Sequence, residues 1–159
     1  MEAISIDIEN FHAGLRIVQM TPEILASVVT LEKECGLNTR GIDGYRRALL
    51  NPNAILLVAI DPDELVIGAF SGNVVVDELQ IDNLAVSERR RRHGIGQSLL
   101  KEAISLAIRL GARTATLEVR SSNLAARSLY EKEGFTVDGF RSRYYTAPPD
   151  DALLLSREI

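Results

Sequence analysis

The sequence predicts one α/β domain built on a mixed, mostly antiparallel sheet of about six to seven strands, flanked by about four helices. Three observations carry that expectation. Short apolar runs broken by turn residues fill the stretch from Ala54 to Val86, the mark of hairpin-linked strands. A helical apolar stripe runs through Ile95, Leu99, Ala103, Ala107 and Leu110, widened by Leu100, Ile104 and Ile108, so this helix buries one face. Strand-like runs flank it, Leu79–Val86 before and Thr114–Arg120 after, making a strand, helix, strand unit.

In chain order, an irregular start precedes Leu15–Met20, which reads as a strand. Thr21 and Pro22 then supply an N-cap and a proline at the first helical position. That helix runs to about Cys35, Gly36–Arg40 breaks the pattern, and Ile42–Leu50 forms a second short helix that stops before Asn51-Pro52. Ala54–Ile60 and Leu65–Phe70 are strands around a turn at Asp61–Glu64, and Val74–Val86 continues as one or two more, all pairing antiparallel. Gly111 closes the long helix. Asn123 caps a further helix that stops at Gly134 and buries Ala126, Leu129 and Tyr130. Phe135–Arg143 and Ala152–Ser156 complete the sheet.

With 159 residues, 46% of them hydrophobic and 25% charged, the chain can bury one sizeable core without disulfide or metal staples. No repeat, low-complexity tract or Gly/Ser linker divides it, so one domain is expected over residues 1–159. The single cysteine, Cys35, forms no intrachain disulfide, and Met1–Ile4 lacks the basic start of a secretion signal. A reducing, cytoplasmic setting is expected. The apolar run Ala54–Ile60 is far shorter than the roughly 20 residues of a membrane span, so no membrane partner is expected. A net charge of −4 argues against a nucleic-acid partner and leaves Arg89–Arg92 as a local basic cluster. His12 and His93 have no second ligand at metal spacing, and Cys35 has no basic neighbour in sequence, so neither a metal nor a thiol nucleophile is expected. The oligomeric state is left open.

The segment Arg91-Arg92-His93-Gly94-Ile95-Gly96-Gln97 opens the long helix. Gly94 and Gly96 put no side chain between backbone and ligand, so successive N–H groups converge on an anion at the positive end of the helix dipole. Arg91 and Arg92 add charge-assisted donors. Such a turn holds a phosphate and points to a diphosphate-bearing cofactor. A P-loop is ruled out, because it needs lysine and then serine or threonine where Gln97-Ser98 stand. A dinucleotide fingerprint places Glu118 about 20 residues on, as here, but needs a third glycine where Leu99 stands. It also belongs near the start of a βαβ series, not after antiparallel strands.

Arg91-x-x-Gly94-x-Gly96, preceded by Asn83-Leu84-Ala85-Val86, resembles the acetyl-coenzyme A signature of the GNAT acyltransferase superfamily. The stretch from Leu117-Glu118-Val119-Arg120 through Asn123 and Leu129-Tyr130 to Gly134-Phe135 is similar to the bacterial ribosomal-protein alanine N-acetyltransferases. These share it with the catalytic subunits of archaeal and eukaryotic N-terminal acetyltransferases. Gly139–Tyr145 and Asp150-Asp151-Ala152 extend the similarity, which covers residues 79–156, about half the chain. The resemblance implies the GNAT acyl-CoA N-acyltransferase fold, with an acetyl-CoA-binding core over about 79–135. It implies direct acetyl transfer from acetyl-CoA to a primary amine, with the N-terminal α-amine of a protein or peptide favoured. In the ribosomal enzymes a Pro-Trp-Ser element follows the first helix, whereas this chain has no tryptophan and carries Glu34–Arg40 there. Acetylation of a small amine such as an amino acid, polyamine or aminoglycoside stays open, as does a coenzyme A-binding regulatory module without catalysis.

Glu118 lies between Leu117 and Val119, and strand alternation turns it away from the core. A half-buried carboxylate there takes a proton from the incoming ammonium, directly or through water. An α-amino group, with a reference pKa of about 7.7 to 8.0 against about 10.4 for lysine, needs only a weak base. The resemblance also assigns Glu118 this role; the alternative is an exposed glutamate paired with Arg120 or Lys132. By resemblance Tyr130 protonates the departing thiolate; the alternative is a ring packed in the core. Asn123 is read as an N-cap first and, by resemblance, as a contact to the pantetheine arm. Leu84 and Val86 act through their backbone, because in the GNAT fold their strand separates from its parallel neighbour and pairs with pantetheine. The Val86 N–H then faces the thioester oxygen. With Tyr130, Arg91, Arg92, Gly94, Ile95, Gly96 and Gln97 these complete the expected cofactor contacts. Arg89 and Arg90 read as a solvated face or as contacts to a 3′-phosphate. Tyr144 and Tyr145 line the peptide pocket by resemblance, against plain edge packing, with Asp150 or Asp151 drawing in an ammonium group.

Overall fold

A strand that is apolar at every position must be covered on both faces, and Ala54–Ile60 is. As β3 it sends Ile55, Leu57 and Ala59 into one core cluster and Leu56, Val58 and Ile60 into the other. The computed structural model describes residues 14–159 and the backbone of Ile6–Asp7. Met1–Ile4, His12 and the rest of the irregular start lie outside the described residues.

From β1 (Ile6–Asp7), the strands β2 (Arg16–Gln19), β3, β4 (Val66–Val75) and β5 (Glu78–Val86) form the expected antiparallel series. β5 then pairs in parallel with β6 (Thr114–Arg120), β6 antiparallel with β8 (Pro149–Glu158), and β8 with β7 (Thr136–Thr146). Among the described residues the sheet therefore has eight strands in the order β1-β2-β3-β4-β5-β6-β8-β7. The strand beyond the expected six to seven is the two-residue β1. Helices α1 (Leu25–Glu34) and α2 (Gly41–Ala48) cover one face, and α3 (Ile95–Arg109) and α4 (Leu124–Lys132) the other.

Three local expectations need correction. Pro22 opens a 3-10 turn, Pro22–Ile24, and the α-helix starts only at Leu25. Ile108 and Leu110 are 50% and 41% exposed rather than on the buried stripe. Ile104 already sits at the rim of the core, and Ile108, four residues on, is rotated about 40° further round the helix; Leu110 follows the last helical residue. In α4 only Tyr130 is buried, with Ala126 and Leu129 half-exposed, because the helix sits over a gap in the sheet.

Two irregularities create that gap. The β4–β5 register runs from Gly68 opposite Val86 to Ser71 opposite Asn83, then slips so that Gly72 faces Ile81. Asp82 is the extra residue of a β-bulge. A bulge reverses which face each later side chain takes: Leu79 and Ile81 point to the α3/α4 side, whereas Ala85 points to the α1/α2 side. The parallel pairing of β5 with β6 runs from Glu78 opposite Thr114 to Ile81 opposite Leu117 and ends there. Beyond it the two strands part. Among the described residues, no helix is long and apolar enough to cross a membrane.

Candidate active site

The parted strands open a cleft of about 980 Å³. It brings together Leu84, Glu118, Asn123, Tyr130, Tyr144 and Tyr145, and its remaining wall includes Cys35–Arg40. Val86, Arg91, Arg92, Gly94, Ile95, Gly96 and Gln97 are not in that lining; Val86 ends β5, and the others lie past it, up to the start of α3.

Backbone geometry explains what β5 offers. The Ser87 N–H donates to the Ile67 carbonyl at 2.8 Å, which makes Gly68 and Val86 a non-hydrogen-bonded pair across β4 and β5. The N–H and C=O of Val86, and by alternation those of Leu84, therefore point away from β4 towards the gap. The Val86 carbonyl already accepts from Arg91 Nε at 3.3 Å and from Cys35 Sγ at 3.4 Å.

Gly94 caps α3 in the left-handed region, at φ 75°. The first bond inside the helix runs from the Ser98 N–H to the Gly94 carbonyl at 2.9 Å, so the N–H groups of Ile95, Gly96 and Gln97 lie ahead of the helical ladder. A Cβ on Gly96 would lie 3.3 Å from Leu129 Cδ2 and 3.4 Å from Val86 Cγ2. Glycine thus keeps α3, α4 and β5 close and the approach to the amides open. Arg91 and Arg92 are exposed. The Gln97 side chain is committed to Glu133, leaving its backbone to face a ligand. Arg90 departs from expectation: its Nη2 donates to the buried Asp61 at 3.0 Å, so it anchors the turn to the β3–β4 hairpin instead of forming a solvated face.

On β6, Ala115, Leu117 and Val119 are buried and Glu118 takes the other face, its side chain 33% exposed. Its ionic partner is Arg141, Nε to Oε1 at 3.6 Å, rather than Arg120 or Lys132. Arg120 instead donates to the carbonyls of Pro148 and Ala147 at 2.8 and 3.2 Å and lies over the Tyr145 ring at 4.2 Å. A second bulge, between Arg141 and Tyr145 of β7, swings Tyr144 towards Glu118, whose hydrogen bonding and charge raise the Tyr144 phenol above its ordinary value. Tyr144 and Tyr145 stand edge to face at 5.1 Å. Tyr130 belongs to the opposite core layer, edge-on to Phe135 at 5.5 Å, and burial pushes its phenol up. Asn123 caps α4 as expected, Oδ1 accepting from the Ala126 N–H at 3.1 Å. Asp150 accepts from the Ser122 hydroxyl and N–H, and Asp151 from the Arg143 N–H, so both carboxylates close loops.

The wall formed by Cys35–Arg40 is the segment that stands in place of the Pro-Trp-Ser element; the sequence singled it out but gave none of its residues a role. Arg40 pairs with Asp82 at the bulge, where burial pushes the Asp82 carboxyl up against the pull of Arg40. Behind this wall Glu32 is fully buried. Its signal was present: Leu25, Val28, Val29 and Glu32 share the helical spacing of a core stripe, with a carboxylate at its end. Among the described residues, no group of three or more His, Cys, Asp and Glu could hold a metal ion.

The sequence profile of the Acetyltransferase (GNAT) family matches residues 25–135. The chain belongs to the GNAT family. It is an N-acetyltransferase, and its acyl donor is acetyl-CoA. A Bacillus subtilis (strain 168) protein, provisionally named a ribosomal protein bS18-alanine N-acetyltransferase, is 38% identical over 111 residues, 70% of this chain and 73% of its own length. The Escherichia coli (strain K12) ribosomal protein bS18-alanine N-acetyltransferase is 40% identical over 88 residues, 54% of this chain and 60% of that enzyme. The crystal structure of the Escherichia coli ribosomal-protein-S18-alanine N-acetyltransferase overlays with a TM-score of 0.80 at 26% identity, covering 91% of this chain and 94% of that one. The GNAT site described above fits its donor: amides ahead of the α3 ladder suit a pyrophosphate, and the outward-facing groups of Leu84 and Val86 suit an amide-rich arm.

Proposed function

We propose that this GNAT chain acetylates the N-terminal α-amine of a protein, with Glu118 as general base and Tyr130 as general acid. One observation carries the reading: Glu118 and Tyr130 stand on opposite faces of the sheet yet line one cleft, through the gap between β5 and β6. Donor and acceptor therefore approach from opposite sides and meet between a base and an acid. The names of the Bacillus and Escherichia relatives support a protein acceptor, of the kind a ribosomal protein presents in the cytoplasm.

Acetyl-CoA supplies the acetyl carbon as a thioester and its sulfur leaves as a thiol. The chain's own residues do the rest. The N–H groups of Ile95, Gly96 and Gln97, with Arg91 and Arg92, hold the pyrophosphate, and Leu84, Val86 and Asn123 position the arm. Glu118 takes the proton that the ammonium must lose before nitrogen can attack. The Val86 N–H stabilises negative charge on the carbonyl oxygen. Tyr130, kept neutral by burial, gives its proton to the departing sulfur. Tyr144 and Tyr145 frame the acceptor.

Radiolabelled acetyl-CoA is offered with peptides bearing a free N-terminus, with the same peptides blocked at the N-terminus but carrying lysine, and with amino acids, polyamines and aminoglycosides. Label on the free α-amine is expected. Label on the small amines alone overturns the acceptor assignment.

A further inference from the structure

Glu32 is buried where helical spacing calls for an apolar side chain, 0% exposed on the core face of α1. Burying a carboxylate is costly unless donors surround it. Among the described residues its hydrogen-bond donors are neutral, and they come from three different elements. Oε1 accepts from the Thr39 hydroxyl at 2.9 Å, and Oε2 accepts from the Tyr45 hydroxyl at 2.9 Å and from Asn83 Nδ2. Thr39 belongs to the loop between α1 and α2, Tyr45 to α2, and Asn83 to β5. Asn83 Nδ2 also reaches the Asn38 carbonyl at 2.8 Å, and Thr39 Oγ1 accepts from the Gly41 N–H at 3.2 Å.

Two of these donors, Thr39 and Asn83, form part of the wall of the cleft, and the third, Tyr45, stands outside it. Asn38, Thr39 and Asn83 line it, while Glu32 stands behind it. The bulge at Asp82 makes the link, since without the extra residue Asn83 would point to the α3/α4 side with Leu79 and Ile81. Were Glu32 a filler of the α1 core, an apolar side chain would serve at lower cost. A carboxylate is needed because it alone gathers donors from loop, helix and strand at one point.

We propose that Glu32 is the positioning residue of the acceptor site, fastening the loop Gly36–Arg40 onto β5 so that the wall facing Glu118 is formed before the acceptor arrives. The assignment rests on the reading that Glu118, facing away from the layer that holds Tyr130 and so towards α1 and α2, is the base that meets the acceptor amine. It extends that reading to a residue which touches neither substrate.

The test compares wild type with Glu32→Gln, which keeps the volume but replaces an accepting oxygen with an N–H₂, and with Thr39→Val, which removes one donor and leaves the α1 core intact. Each is assayed for acceptor KM with the amine that wild type acetylates, for acetyl-CoA affinity by calorimetry, and for amide hydrogen exchange without ligand. Expected for Glu32→Gln are a roughly tenfold or larger rise in acceptor KM, the scale of losing a hydrogen bond to a charged group, and acetyl-CoA affinity within about twofold of wild type. Exchange should quicken across residues 36–40 while α3 and β6 keep their protection. Thr39→Val should move the same quantities less. If Glu32→Gln does not fold, Thr39→Val decides alone. Unchanged acceptor KM and loop exchange in the folded variants overturn the proposal, and so does an equal loss of acetyl-CoA affinity, which marks a general structural role. Failure of wild type to acetylate peptide N-termini would count against the acceptor reading, not against Glu32, whose effects are read on exchange and on whichever amine is used.

Discussion

As the proposed general acid, Tyr130 holds a proton until the sulfur leaves, a role its burial among apolar side chains favours by making the phenolate costly. The sign is simple: raising an acid's pKa extends its protonated range upward. The pH profile of kcat should therefore rise as the acceptor amine loses its proton and show no fall from Tyr130 up to about pH 9.5, just short of the ordinary tyrosine value of about 10. Tyr130→Phe and Glu118→Gln should each lower kcat about a hundredfold or more with acetyl-CoA affinity nearly unchanged, read by steady-state kinetics beside calorimetry. A Glu118→Gln enzyme matching wild type at every pH would demote that carboxylate to a partner of Arg141. The two residues were not equally legible. Strand alternation alone placed Glu118 off the core, whereas its neighbours Tyr144 and Arg141 come from β7, and a bulge there decides how they face it. The Glu32 cluster escaped notice because a glutamate at the end of a helix reads as solvated until α2 and β5 are packed around it.

The elements proposed to hold the donor depend on a contact the arginine run conceals. Asp61 is 1% exposed. Its Oδ1 accepts from the N–H groups of Asp63 and Leu65 at 2.9 and 3.0 Å, and its Oδ2 from Arg90. The β3–β4 hairpin thereby fixes the turn that leads into α3. Asp61→Asn keeps an oxygen for the two amides but weakens the hold on Arg90. Calorimetry should show acetyl-CoA affinity falling several-fold, the scale of one charge-assisted hydrogen bond, while acceptor KM stays put. Equal affinity would leave the pair a matter of hairpin stability. Helices α3 and α4 and the strand between them were readable because period, cap and stop agree in one stretch of chain. The β5 bulge was not: the adjacent polar residues Asp82 and Asn83 break the alternation of the strand, but only pairing with β4 shows that Asp82 is the extra residue.

At the scale of the molecule, the sheet separates two apolar layers, and α3 contributes more residues to one of them than any other element does, through Ile95, Leu99, Leu100, Ala103, Ile104 and Ala107. Leu99 is fully buried, and a Cβ on Gly68 would lie 2.9 Å from its Cδ1, so helix and strand are in close contact there. Leu99→Ala should cost about 2 to 5 kcal/mol, measured by denaturant unfolding, because that packing leaves little room to relax into the void.

The sequence by itself determined the elements, the covered faces of the long strands and helices, and the glycine turn that identifies the family, because each is written in spacings of a few residues. Only the tertiary structure decided that β8 enters between β6 and β7, that Ile81 and Leu117 are the last pair before β5 and β6 part, and that Glu32, Asn83 and Thr39 meet behind the cleft. Strand order, register and bulges are chosen by contacts between residues far apart in the chain, and such contacts are settled by burial and hydrogen-bond satisfaction across the whole sheet.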